Sequence, residues 1–291
     1  MTAEAVDRRL VVDDGVSLRI RDWHVAGEQR GLPFLLVPGL ASNCRLWDGV
    51  AARLCDVGRR VVAVDLRGHG RSDKPDEGYD FSTLTADLVA VLDALEWQRA
   101  LVAGQSMGGN LALELAATAP ARVAGAAGVD GGAIDLQRRW PLWEECAAAL
   151  APPRLEGTPR SDIEAHVRQA HPDWSDDGIA AFLANFETRA DGTVRPWLTF
   201  DRHMRLLRAM WEQRPAVTLA RVAAPVLLVM ADTGEDWMPT KREEVELARA
   251  AGTRVRVEWF SPADHDLHVQ RPGEVAQLLH EHLEREGGGY S

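Results

Sequence analysis

Short apolar segments alternate with amphipathic helical patterns along most of the chain. The apolar segments have the length and composition of buried strands, and the patterns between them repeat with the period of a helix. Because strands that are separated by helices pair in parallel, the alternation predicts an α/β fold with a mostly parallel, doubly wound sheet. The predicted strands are 16–23, 34–37, 61–64, 101–103, 123–129, 226–230 and 255–260, and the clearest predicted helices are 84–95, 110–119, 240–251 and 274–283.

One stretch, residues 134–214, interrupts this alternation and is called the insertion below. It contains several helical patterns and a proline-rich joint but no segment that resembles a buried strand, which predicts a helical cap. The expected organisation is a core in two parts, 1–133 and 215–285, with the cap between them and a flexible tail at 286–291. Capping boxes at 161–164 and 240–243 predict the starts of two helices.

Composition restricts the class of protein. A chain of 291 residues with 46% hydrophobic content can bury a full core, and its net charge of −11 disfavours binding to nucleic acid or to an anionic membrane. Three cysteines without paired spacing, Cys44, Cys55 and Cys146, argue against a disulfide framework and against a zinc site. Without a signal-peptide pattern or a bilayer-spanning run, we expect a cytoplasmic protein that acts on a small molecule without metal or cofactor.

The segment Gly104-Gln105-Ser106-Met107-Gly108 lies between a predicted strand and a predicted helix. Glycines on both sides of a serine at such a junction permit a sharp turn that leaves the hydroxyl exposed at the start of the helix. Ser106 is therefore a candidate nucleophile. A serine nucleophile requires a base, and the base requires a carboxylate that orients it.

Together with this turn, three further motifs make the chain similar to the α/β-hydrolase superfamily over nearly its whole length. The resemblance implies a serine hydrolase with a cap above the nucleophile. It does not specify the substrate. The three motifs are Pro38-Gly39-Leu40, the segment 65–72 with sequence DLRGHGRS, and the segment 263–268 with sequence ADHDLH.

The resemblance and the order of residues along the chain favour His265 as the catalytic base. It follows the last predicted strand, where the family places its catalytic histidine, and the neighbouring His268 is the alternative. His69 lies in a glycine-containing turn and is interpreted as structural.

The carboxylate departs from the commonest family pattern. Most members place an aspartate where this chain has Gly234. A minority, including some haloalkane dehalogenases and the zearalenone lactonases, place it after the strand that follows the nucleophile helix, where this chain has Asp130. Asp130 is thus the favoured acid, and Asp232 and Asp236 remain alternatives.

In this fold the oxyanion is held by two backbone N–H groups, which the resemblance assigns to Met107 and Leu40. Pro38 stands where many members have a histidine. The ten tryptophans suggest an apolar pocket under the cap, with Trp140, Trp143 and Trp197 as its predicted lining.

These features predict hydrolysis of an ester or lactone of a hydrophobic small molecule. Two alternatives stay open. One is carbon–carbon bond hydrolysis or lyase chemistry, because the nucleophile turn resembles that of the meta-cleavage-product hydrolases, although Gln105 replaces their asparagine. The other is a non-catalytic small-molecule receptor on the same fold. The sequence leaves the oligomeric state open.

Overall fold

The computed structural model describes residues 5–12, 15–25 and 27–287. Its main sheet has eight strands in the order β1-β2-β4-β3-β5-β6-β9-β10. Six of these strands, β4, β3, β5, β6, β9 and β10, run parallel to one another. Strand β2 is antiparallel to both of its neighbours, β1 and β4. The strands are β1 Ala5–Val11, β2 Ser17–Trp23, β3 Phe34–Val37, β4 Val61–Val64, β5 Ala100–Gln105, β6 Val123–Val129, β7 Phe186–Thr188, β8 Val194–Pro196, β9 Val226–Ala231 and β10 Val255–Phe260.

Helices cover both faces of this sheet. Successive residues of β3 show why: Leu35 and Val37 join the apolar cluster under α2 and α3, and Phe34 and Leu36 join the cluster under α1 and α12. The helices are α1 Asp48–Asp56, α2 Phe81–Ala94, α3 Met107–Thr118, α4 Leu136–Arg139, α5 Trp143–Leu150, α6 Arg160–Ala170, α7 Asp176–Leu183, α8 Phe200–Glu212, α9 Pro215–Leu219, α10 Met238–Ala251, α11 Leu267–Gln270 and α12 Pro272–Gly287. The predicted doubly wound, mostly parallel sheet is confirmed.

Strand β1 was not predicted from the sequence. Most of its side chains are exposed, so it lacks the apolar pattern on which strand prediction depends. It is held at the edge of the sheet by its ladder with β2 and by ion pairs, including Arg8 with the buried Asp22 at 2.5 Å and Asp7 with Arg19 at 2.8 Å. Charges on an edge strand also discourage pairing with another chain.

The insertion lies between β6 and β9. It carries helices α4 to α8 and also a small antiparallel sheet formed by β7 and β8, which the sequence pattern did not indicate. Each of these strands has three residues, too few for a recognisable period. The insertion has an apolar cluster of its own, which includes Ile163, Val167 and Ile179.

Both predicted capping boxes are wrong. Helix α6 already begins at Arg160 and α10 at Met238, and neither has a side-chain cap. In α10 the cause is Pro239 in the first turn, because the fixed backbone angle of proline suits the start of a helix. The predicted tail is helical as far as Gly287, and residues 288–291 lie outside the described ones. Within the described ranges, no helix is both long and apolar enough to cross a bilayer.

The turn after β4 is held by buried charges. Asp65 is fully buried and accepts hydrogen bonds from the Cys44 and Arg71 amides at 2.8 and 2.9 Å. Two residues on, the buried Arg67 guanidinium forms a bidentate pair with Asp87 of α2 at 2.7 and 2.6 Å. This turn also carries His69, which contacts the loop after β3.

We predict that Asp87→Ala lowers the free energy of unfolding by about 3–5 kcal/mol, because it leaves the Arg67 charge buried without its carboxylate. The matched control is Asp93→Ala on the same helix, where the exposed Asp93 pairs with Arg122 and its loss costs about 1 kcal/mol at most. Urea denaturation of both variants provides the measurement. Equal losses in the two variants would contradict the importance assigned to the buried pair.

Candidate active site

Ser106 occupies the sharp turn between β5 and α3. Its backbone angles, φ 52° and ψ −120°, are unusual for a residue with a side chain, and its amide donates to the Val129 carbonyl at 3.0 Å. The turn is tight enough that a Cβ atom on Gly104 would overlap the carbonyl group of Gly108. These features are those of a nucleophile elbow, in which the strained turn presents the serine at the edge of the sheet.

The loop after β3 lies against this turn. A Cβ atom added to Gly39 would be 3.2 Å from the Cβ atom of Ser106, so the loop could not approach as closely with a larger residue. The Ala41 amide of this loop donates to His69 Nε2 at 3.3 Å, and His69 Nδ1 donates to the Arg67 carbonyl at 3.1 Å. Burial lowers the pKa of His69 to about 4, so the ring is neutral and supports the loop by hydrogen bonding.

Leu40 and Met107 each follow a residue that lies at the turn, Gly39 and Ser106 respectively. Leu40 lies in the loop after β3, directly after Gly39, and Met107 is the first residue of α3. In the part of the chain that the structure describes, neither amide donates a hydrogen bond to another protein group. Free backbone N–H donors are groups that can bind an oxyanion.

Asp130 is the carboxylate that contacts His265. Its Oδ2 atom lies 2.6 Å from His265 Nδ1, and its side chain is almost completely buried, whereas the His265 side chain is about half exposed (49%). Asp130 directly follows β6 and has a positive φ of 43°, which is uncommon for a residue with a side chain. Its other oxygen, Oδ1, accepts from the Ala231 amide at 2.9 Å and lies 2.5 Å from Lys241 Nζ.

The two partners shift each other's pKa in opposite directions. Burial by itself would raise the pKa of Asp130, but the hydrogen bonds and charges of His265 and Lys241 outweigh it and lower that pKa. Desolvation likewise works to lower the pKa of His265, and the hydrogen bond and charge of Asp130 overcome it, so the pKa of the imidazole is raised. The pair therefore favours an ionised carboxylate beside a basic imidazole.

The loop that carries His265 lies beside the elbow. Gln105 Nε2, from the residue before the nucleophile, donates to the His265 carbonyl at 3.4 Å. Among the described residues, the Ser106 hydroxyl has no hydrogen-bond partner, and no bond joins it to His265. In unliganded enzymes such bonds are often long and shorten only when substrate binds.

The alternative residues lie in other surroundings. Asp232 Oδ2 pairs with Arg242 at 2.7 Å, and Asp236 is exposed. His268 is buried with its ring centroid 4.5 Å from that of Trp47, and burial lowers its pKa to about 3. Of the three candidate acids, the structure brings Asp130 to His265.

A cavity of about 660 Å³ lies between the loop after β3 and the insertion. Its walls combine apolar groups, among them Leu40, Phe182 and Phe200, with polar ones such as His203 and Arg154. Burial lowers the pKa of His203 to about 4, so a neutral imidazole faces the cavity. The volume is typical of a small-molecule site.

The tryptophans predicted to line the pocket do not line this cavity in the described structure. Trp143 packs edge-on against Trp211 with ring centroids 6.1 Å apart, and Trp211 donates to the Trp140 carbonyl at 2.8 Å. Trp197 lies under the ammonium group of Lys74, 4.9 Å from its ring centroid. Phenylalanines line the cavity instead of the predicted tryptophans. The number of aromatic residues in a sequence does not reveal which of them face inward.

Two features of the site were missed from the sequence. The insertion is joined to the His265 loop through Asp264, whose Oδ2 lies 2.8 Å from His171 Nδ1 and accepts from Trp174 Nε1 at 3.1 Å. Lys241 is the second feature, a buried lysine against Asp130. Neither contact has a local signal, since the partners are separated by about a hundred residues of sequence.

Comparison with known proteins identifies the fold family. A sequence model of the alpha/beta hydrolase fold matches residues 33–272. A non-heme chloroperoxidase from Streptomyces lividans is 37% identical over 116 residues, which are 40% of this chain and 41% of that protein. The chain therefore matches less than half the length of this relative.

Two solved structures have the same fold. E-2-(acetamidomethylene)succinate hydrolase superposes with a TM-score of 0.76 at 22% identity, covering 97% of this chain and all of that one. The enol-lactonase of Burkholderia xenovorans LB400 superposes with a TM-score of 0.67 at 21% identity, covering 95% and 99%. The fold, the elbow and the match of the sequence model lead to one conclusion: the chain belongs to the alpha/beta hydrolase fold family.

Proposed function

We propose that this protein is a serine hydrolase that cleaves an ester or lactone of a hydrophobic small molecule through an acyl-enzyme intermediate. The observation that carries the proposal is the 2.6 Å hydrogen bond between His265 and the buried Asp130, in a loop that also contacts the residue before Ser106. A serine on a strained turn, an oriented imidazole and an ionised carboxylate are the three parts of a catalytic triad.

In this mechanism His265 removes the proton of the Ser106 hydroxyl as the oxygen attacks the substrate carbonyl. The amides of Leu40 and Met107 donate to the oxyanion of the tetrahedral intermediate. His265 then gives the proton to the leaving alcohol. Water, deprotonated by the same imidazole, attacks the acyl-enzyme and releases the acid and the free serine.

Asp130 stabilises the imidazolium that forms in each half of this cycle. Because its Oδ2 atom accepts from Nδ1 of His265, the other ring nitrogen is left to face the serine. The carboxylate is ionised before the reaction begins, so this stabilisation needs no rearrangement. In this proposal, an acid after β6 orients the imidazole in place of the more usual acid after β9.

The cavity beside Leu40 supports a small, largely apolar substrate. Leu40 and Ala41 form part of its wall, so a carbonyl group held by the Leu40 amide would extend its substituents toward Phe182 and Phe200. An enol-lactonase shares the fold, which is compatible with a lactone as well as an open ester.

Replacing the nucleophile tests the proposal directly. We expect Ser106→Ala to abolish covalent labelling by a fluorophosphonate and to lower kcat for p-nitrophenyl esters by at least about 10⁴-fold. The control is Ser82→Ala, which changes an exposed serine on α2 and should leave both readouts unchanged. Full labelling of the Ser106→Ala protein would refute the proposal.

Substituting the carboxylates in turn tests the acid. We expect Asp130→Asn to lower kcat by about 10²- to 10⁴-fold, because a neutral amide neither stabilises the imidazolium nor fixes its tautomer. Asp232→Asn and Asp236→Asn are matched controls in which the same substitution should leave kcat within about twofold of wild type. A loss confined to either control would show that Asp130 is not the acid.

The pH dependence follows from the raised pKa of His265. The base must be neutral, so kcat/KM falls as the pH drops through its pKa. Since Asp130 raises this pKa above the ordinary value of 6.5, we expect the acidic limb of the kcat/KM profile to lie above pH 6.5. A limb near pH 5 would mean that the pair does not control the base.

A further inference from the structure

Lys241 is buried beneath the carboxylate of Asp130. Its side chain is 3% exposed, and its ammonium lies 2.5 Å from Asp130 Oδ1 and 2.5 Å from the Ala231 carbonyl. The rings of Trp237 and Trp259 lie 5.1 and 6.0 Å from the same ammonium. Lysine is rarely buried to this degree unless it is paired, so the pair with Asp130 accounts for its place in α10.

The two oxygens of the Asp130 carboxylate have different partners. Oδ1 receives the Lys241 ammonium and the Ala231 amide, and Oδ2 contacts His265. A carboxylate with both Oδ1 contacts in place cannot rotate without breaking them. The contacts of Oδ1 thus determine the direction in which Oδ2 points.

We propose that Lys241 is a positioning residue for the hydrolytic reaction, which holds the Asp130 carboxylate ionised and directed at His265. This inference rests on the proposed function, in which Asp130 is the acid of the triad. Lys241 acts through Asp130, and it does not line the cavity in the described structure.

The charge of Lys241 has two effects on the site. It lowers the pKa of Asp130, so that the buried carboxylate stays ionised, and it opposes protonation of His265. Removing the charge should therefore make the imidazole easier to protonate as long as Asp130 remains an anion. Burial lowers the pKa of Lys241 itself, and the charge of Asp130 acts against that effect.

Other charged groups surround the pair and are unchanged in the test below. Around Lys241, Arg139 of α4 is paired with the buried Glu244, and Glu235 lies in the loop before α10. Around His265, Asp266 adds a nearby acidic group in the same loop. None of these is removed with Lys241, so a shift in the pH profile can be assigned to its charge.

The experiment compares Lys241→Met with wild type across pH. We expect kcat to fall by about 10- to 100-fold, because a carboxylate that keeps its bond to His265 but can rotate about it orients the base less well, while KM stays within about threefold. We also expect the acidic limb of kcat/KM to move to higher pH by at least about 0.5 unit, because a neighbouring positive charge has been lost. Unchanged kcat, or a limb that stays in place, would overturn the inference.

The matched control is Arg249→Met, which removes a positive charge from the exposed side of the same helix, where Arg249 pairs with Glu246. Its pH profile should coincide with that of wild type. A similar shift in both variants would show that the effect belongs to net charge and not to the contact with Asp130. Lys241→Gln, which keeps a hydrogen-bond donor without the charge, should show the same limb shift as Lys241→Met.

Thermal unfolding supplies a readout that does not depend on activity. Asp130→Asn takes the carboxylate from the buried Lys241, and Lys241→Met takes the ammonium from the buried Asp130. Each should therefore lower Tm by at least about 6 °C, and the double variant should be more stable than the sum of the two losses implies. If neither single variant folds, a folded double variant supports the pairing and an unfolded one overturns it. Additive losses would also overturn it.

The two proposals fail in different ways. If the wild-type protein is not labelled by a fluorophosphonate, the proposed hydrolase function fails, whatever the Lys241 variants show. If labelling and the loss in Asp130→Asn occur as expected but Lys241→Met has a wild-type kcat and pH profile, only the role of Lys241 fails.

Discussion

The buried carboxylate of Asp130 is the interaction on which the arrangement of this site depends. It is bonded to the end of β9 through the Ala231 amide, to α10 through Lys241 and to the His265 loop through the imidazole. A buried anion is stable only when such partners surround it, since its desolvation would otherwise cost several kcal/mol. Asp130 therefore fixes three separate segments relative to one another and raises the pKa of His265.

The parallel sheet explains why these segments meet. Strands β3, β5, β6 and β9 are neighbours and parallel, so the loops at their carboxyl ends come together at one edge. That edge receives Leu40 after β3, Ser106 after β5 and Asp130 after β6. The insertion lies over the same edge, and the contacts of His171 and Trp174 with Asp264 connect it to the His265 loop. Gln270, which accepts from the Asp264 amide and donates to Asp173 of the insertion, adds a second link between the same segments.

The parts that could be predicted are those with a local signal. Buried strands such as β3, β4 and β6 coincide with predicted segments because a run of apolar side chains identifies them. The elbow at Ser106 was visible because only glycine allows so tight a turn on both sides of the serine. Strand β1 was not predicted because its exposed, charged side chains show no apolar period. The start of α10 was predicted too late because the helix already begins at Met238, with Pro239 in its first turn.

By itself, the sequence determined the alternation of buried strands with helices in the core, the position of the serine turn and a short set of candidate partners for it. Only the tertiary structure decided among those partners: it brings Asp130 to His265, directs Asp232 to Arg242, and buries His268 against Trp47. It also decided which aromatic side chains face the cavity and where the charge of Lys241 lies. The physical reason is that secondary structure and tight turns follow from interactions between near neighbours, whereas a buried ion pair joins residues that are distant in the chain and depends on how the whole sheet packs.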